Sequence, residues 1–92
     1  VVIKSISSPS RGKITLNWSK VSGAHGYQIY RYDSSKKEYV CIKTITSGST
    51  LTYSKTGHSS GKTYYFKIRA YRTVNDKKVY GSYSKVKYCK VR

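Results

Sequence analysis

The 92 residues carry 19 lysines and arginines against three acids, a formal net charge of +16. So short a chain holds a single domain with one modest core, and so one-sided a charge repels itself unless a packed interior compensates. No stretch of about 18 apolar residues offers a bilayer span and none has the layout of a signal peptide, so membrane insertion is not expected. The absence of Met and the strand-like residues 1 to 6 fit a domain excised from a longer, multidomain chain, with 1–92 as one unit.

High charge would suit a disordered chain, but eleven tyrosines and apolar positions recurring with period two argue for half-buried strands. After the opening segment, KITLNW at 13–18 places Ile14, Leu16 and Trp18 on one face. A loop rich in Ser and Gly follows, and YQIYRY at 27–32 resumes the alternation, with Tyr27 and Ile29 opposed to Gln28 and Tyr30. DSSKK makes a turn into EYVCIKTI, and residues 51–55 form a short strand. Beyond TGHSSG, the run KTYYFKIRAYR at 62–72 sets Tyr64, Phe66, Ile68 and Ala70 on one face and Tyr65, Lys67, Arg69 and Tyr71 on the other. Asn75-Asp76 supplies hairpin chemistry and leads into a last strand, VYGSYSKVKYCKV, on which Cys89 and Val91 join the core. No segment has a helical period, so no helix is expected.

Short strands with turn signals every 8 to 12 residues suit an immunoglobulin-like sandwich. Trp18 closing the second strand, GYQIYR at 26–31 and Tyr64 heading the strongest strand together resemble a fibronectin type III domain, from about Ile3 to Val91. The resemblance implies an all-β, seven-stranded antiparallel immunoglobulin-like β-sandwich, its first, second and fifth strands facing the fourth, third, sixth and seventh. It also implies that Trp18 is the core Trp and Tyr64 the "tyrosine corner". More narrowly, VSGAHGYQIYR, TYYFKIRAY and YGSYSKV resemble tandem repeats of large secreted and surface proteins of Gram-positive bacteria, which implies an extracellular or cell-wall location. Two positions depart from the family pattern. His58 stands where a Leu is usual, and Ser60 where a Pro is frequent, which implies a looser corner. His58 reads as a buried neutral imidazole with one satisfied nitrogen, or else as a pH switch or metal ligand.

Catalysis needs convergent groups, and few are available. Asp33, Glu38 and Asp76 are the only acids, all in or beside turns. Asp33 and Glu38 come close on an exposed loop, whereas a glycosidase pair flanks a cleft. There is no G-x-S-x-G elbow, His25 and His58 lack an orienting acid, and no glycine-rich phosphate loop occurs. The expectation is therefore no enzyme, no cofactor and no metal. Arg11-Gly12-Lys13 lacks the Asp of an integrin-binding tripeptide and falls in the wrong loop. Cys41 and Cys89 lie on strands at opposite edges of one sheet, too far apart to bridge, so both thiols are expected to be free, with Cys41 partly exposed.

The basic surface is the feature with functional potential. Alternation turns Tyr30, Tyr65, Lys67, Arg69 and Tyr71 outward, with Lys43, Lys85 and Lys87 added from neighbouring strands. Such a face either binds polyanions by charge and stacking or is a solvated surface whose lysine stems cover the rings. The resulting expectation is a non-catalytic extracellular spacer and adhesion module of a bacterial surface or secreted protein, with weak binding to anionic polysaccharides or teichoic acids. Its partners are neighbouring domains of the same chain. The alternative is a carbohydrate-binding accessory module of a secreted polysaccharide- or cell-wall-degrading enzyme, marked by an open row of rings. Nucleic acid is not expected, because charge is unaccompanied by any sequence-reading element.

Overall fold

The computed structural model describes residues 1–92 as eight strands without a helix: β1 (Ile3–Ser7), β2 (Ile14–Trp18), β3 (Gly26–Asp33), β4 (Glu38–Ile45), β5 (Thr52–Lys55), β6 (Thr63–Val74), β7 (Lys77–Tyr80) and β8 (Lys87–Lys90). They form two antiparallel sheets, β1-β2-β5 and β4-β3-β6, with β7 and β8 both pairing the free edge of β6. This is the sandwich expected from the sequence, with one correction. The seventh strand is broken, because β7 pairs the end of β6 and β8 its beginning, while residues 81–86 lie between them outside the ladder. Ser84 explains the break. Its amide donates to the Ile68 carbonyl (2.7 Å), and its hydroxyl accepts from the Ile68 amide (3.0 Å) in place of a backbone carbonyl.

Period two decides what is buried. In β2, Ile14, Leu16 and Trp18 are buried between half-buried Thr15 and Asn17. They meet Tyr27, Ile29, Phe66, Ile68 and Ala70 from the opposite sheet, with Ile3, Ile45 and Val91 closing the cluster. Burying each large apolar side chain contributes roughly 1.5 to 3 kcal/mol, which is what opposes the self-repulsion of the charge. Trp18 and Tyr27 pack edge to face with centroids 5.6 Å apart, and the Tyr27 hydroxyl accepts from the Val21 amide while donating to the Gly48 carbonyl, both at 3.1 Å. Two residues assigned to the core from sequence stand differently. Tyr64 is half-buried and packs on the rim of the cluster, and Cys89 is half-buried outside it. Cys89 lies on β8, a short edge strand with solvent beside it, so the inward side of its pleat is only partly covered.

Turn chemistry fixes the connections. Asn75 and Asp76 both take positive φ (50° and 63°), as a two-residue hairpin between Val74 and Lys77 requires. The Asp33 carboxylate accepts from the Ser35 and Lys36 amides at 2.9 and 3.1 Å, shaping the β3–β4 turn.

Candidate cation and tyrosine face

The outer face of the larger sheet is built on β3 and β6, which pair through Gln28↔Arg69 and Tyr30↔Lys67. Gln28 is buried and Tyr30, Lys67 and Arg69 are half-buried, because residues 80–83 fold over them. The Lys67 ammonium lies 3.9 Å from the centroid of the Tyr83 ring and 4.6 Å from that of Tyr39. The Arg69 guanidinium lies 3.7 Å from the Tyr80 centroid, 5.0 Å from Tyr83 and 5.3 Å from Tyr30. Rings and cations thus alternate along the sheet in the order Tyr39, Lys67, Tyr83, Arg69, Tyr80. Arg69 also donates from Nε to Gln28 Oε1 (3.0 Å) and from Nη2 to the Tyr30 hydroxyl (2.8 Å). Burial first, and the adjacent Tyr83 hydroxyl second, push the Tyr30 phenol up to about 12 against the opposing pull of Arg69. It therefore stays protonated and donates to Gln28 Oε1 at 3.2 Å.

Of the residues assigned to this face from sequence, Tyr30, Lys67 and Arg69 come together, with Tyr65 exposed beside them. Tyr71 does not belong to the exposed surface. It is 5 % exposed, because its cross-strand partner is Gly26 and its ring folds over the space where a side chain would stand. Lys43, Lys85 and Lys87 are also corrected. Lys43 follows a bulge at Ile42 and pairs with Ile29, and Lys87 pairs with Phe66, so each takes the core-side register at a solvent edge. Lys85 lies in the irregular stretch between β7 and β8. Lys87 shares the parity of Cys89, so alternation from the core already sets it inward; the break between β7 and β8 takes Lys85 out of the ladder, and the bulge hid Lys43. The same break hid Tyr80 and Tyr83, which only a turned-out chain brings over β6. Tyr39 and Gln28 were legible as outward neighbours but carried no distinguishing signal.

No family model matches the chain, and no curated protein does so. Among solved structures, an Fn3-like protein from Clostridium thermocellum is 28 % identical, with a TM-score of 0.73 over 96 % of this chain and 86 % of that one. The chain has the fibronectin type III fold. Two further likenesses are to the 6th fibronectin type III domain of human fibronectin type III domain containing protein 3 (19 % identity, TM-score 0.68, 95 % and 78 % covered) and to the chicken CNTN1 FN1–FN3 domains (19 %, 0.65, 99 % and 33 %). At those identities the likeness concerns the fold alone.

Within the fibronectin type III fold, the corner Tyr64 hydroxyl accepts from the Ser59 amide at 3.0 Å. Burial raises the Tyr64 phenol, but this bond, Lys62 and Arg31 together outweigh it and leave the group below its ordinary value. His58 fills the neighbouring slot, 7 % exposed and edge-on to Tyr64 with centroids 4.6 Å apart. Its Nε2 is 3.1 Å from Arg31 Nη1, while its Nδ1 has no partner. A guanidinium only donates, so Nε2 accepts and the proton sits on Nδ1. Both cysteines are free, with Cys41 exposed. Glu38 is exposed, and no three His, Cys, Asp or Glu residues gather to hold a metal.

Proposed function

We propose that this fibronectin type III module is a non-catalytic spacer in a larger extracellular bacterial protein, drawn weakly to anionic cell-wall or host glycans by its charge. One observation carries the spacer role, the path of the chain through the sandwich. At the Trp18 end of β2 the Val2 amide donates to Ser19 Oγ (3.1 Å), and at the Ile14 end the Gly12 amide donates to the Arg92 carbonyl (3.1 Å). The chain therefore enters at one pole and leaves at the other, along a body of 43 × 27 × 20 Å. Domains joined at the two poles are held apart in line, in keeping with tandem arrangements such as the CNTN1 FN1–FN3 structure.

The interleaving of Lys67 and Arg69 with rings favours a spacer over an open sugar-binding platform at the centre of the face, where cations cover the tyrosines. The remaining lysines and arginines are mostly exposed, and only three acids oppose the full set of 19. Counterion release then supplies weak attraction to any polyanion. Teichoic acid binding tests this. Affinity should fall steeply between about 50 and 200 mM salt, and a salt-independent affinity would refute the electrostatic mechanism. Dyes placed at residues 1 and 92 test the spacer role. A single narrow transfer distance is expected, and a broad distribution would exclude a rigid spacer.

A further inference from the structure

A line of tyrosines crosses the outer face of the larger sheet at the end nearest the β3–β4 turn. Tyr32 pairs with Tyr39 across β3 and β4, and Tyr65 pairs with Tyr88 across β6 and β8. The β3–β6 register reaches Arg31 opposite Phe66, so one further step sets Tyr32 beside Tyr65. Four rings thus stand in single file, one on each of four adjacent strands, at a spacing of about 4.8 Å and over roughly 15 Å. Tyr32, Tyr65 and Tyr88 are 38 %, 43 % and 66 % exposed. The rings brace one another, with centroids 5.2 Å apart for Tyr32 and Tyr39 and 5.5 Å for Tyr65 and Tyr88. That bracing reduces the entropy lost when a ligand orders them.

Charge borders the file on both sides. Lys67 lies two residues beyond Tyr65 with its ammonium 4.6 Å from the Tyr39 centroid, and exposed Lys90 lies two residues beyond Tyr88 in the other direction. We propose that this row is a stacking track for a linear acidic polysaccharide, its sugar rings on exposed Tyr32, Tyr65 and Tyr88 and its anionic groups on Lys67 and Lys90, while Tyr39, half-buried under the Lys67 ammonium, braces Tyr32. A phenol ring offers an apolar face and a polar tip, which matches a pyranose. Sugar rings along an extended polysaccharide also recur at nearly the spacing of strands. A stable protein partner needs about 800 Å² per side with an apolar centre, whereas a file one ring wide between cations is too narrow for that. The inference rests on the polyanion reading above and adds a place and a requirement for rings.

The experiment compares polygalacturonate, inorganic polyphosphate and polyglutamate of matched charge density on the full chain by tyrosine fluorescence titration. Polygalacturonate should bind about tenfold tighter than either of the others, a gain of about 1.4 kcal/mol. Tyr65→Ala/Tyr88→Ala should abolish that advantage while leaving polyphosphate binding unchanged. Equal binding of polygalacturonate and polyphosphate, indifferent to the tyrosine changes, would overturn the track and leave the charge reading standing. Binding of none of the polymers would overturn both, and polyglutamate binding as tight as polygalacturonate would overturn the preference for sugar. Emission from buried Trp18 checks the fold. If the double variant loses it, Tyr88→Ala, at the most exposed of these positions, makes the same comparison.

Discussion

The Arg69 guanidinium stacks on the Tyr80 ring at 3.7 Å while its Nε and Nη2 donate to Gln28 and Tyr30. One side chain of β6 thereby pins both its neighbour β3 and the end of β7. Arg69→Ala removes the stacked cation and one of the two donors to buried Gln28 Oε1. The expected loss is about 1 to 3 kcal/mol, from the two lost charge-assisted hydrogen bonds, to Gln28 Oε1 and the Tyr30 hydroxyl, and the lost ring contact. Arg69→Lys should recover less than half, because an ammonium has neither the flat face nor the fork. Urea denaturation checks both, and a loss under about 0.5 kcal/mol for Arg69→Ala would mean that the ladder contributes little.

The sandwich was legible because its inner faces obey strict alternation: Ile14, Leu16 and Trp18, or Phe66, Ile68 and Ala70, follow period two without interruption. The outer face was legible only where strands are regular. Tyr30, Lys67 and Arg69 follow from parity, but Tyr80 and Tyr83 reach the face because Ser84 substitutes for a backbone partner, and sequence alternation carries no trace of that. Tyr71 has the outward parity and is nonetheless buried, since what covers it depends on the absence of a side chain at Gly26 across the sheet.

That relationship predicts the behaviour of Gly26. A Cβ there would run into the Ile45 carbonyl and would stand 2.6 Å from the Tyr71 hydroxyl and 2.7 Å from the ring carbon Cε2. The Tyr71 ring can rotate away, but the backbone carbonyl is held within the β3–β4 ladder, where Tyr27 pairs with Ile45. Gly26→Ala should therefore cost about 1 to 3 kcal/mol as an overpacked site, and Tyr71→Ala in addition should relieve only part of it. Thermal unfolding of the two variants separates the contributions. Full rescue by Tyr71→Ala would show that the ring, and not the carbonyl, sets the limit.

His58 gives the fold an acid-side sensitivity. Burial, then the charge of Arg31, holds its pKa below the ordinary 6.5, and the Gly12 and Lys55 carbonyls only partly counter them. Arg31 faces it from β3, Lys55 from the end of β5, and Tyr64 from β6. With a depressed folded value, the neutral form is favoured and the unfolded chain binds the proton first. The contribution is complete above pH 6.5 and is lost as pH falls below it toward the folded value, with a slope of at most about 1.4 kcal/mol per pH unit. His58→Leu should flatten that part of the stability profile. A wild-type profile already flat between pH 6.5 and the acid limb would contradict the assignment.

Cys41 and Cys89 should differ sharply in reactivity despite sharing a sheet. Two strands, β3 and β6, stand between β4 and β8, so the separation is about 14 Å at the strand spacing and exceeds the limit of about 7 Å for a disulfide. Cys41 is exposed on edge strand β4, whereas burial pushes the half-buried Cys89 thiol up and withholds the reactive thiolate. A native-state thiol assay should show one fast group, lost in Cys41→Ser, and a second that reacts at least about tenfold more slowly. Oxidation should link two molecules through Cys41 and not close a loop within one. A monomer lighter by two hydrogens after oxidation, with neither thiol titrating, would show that β4 and β8 approach each other in a way this sheet order forbids.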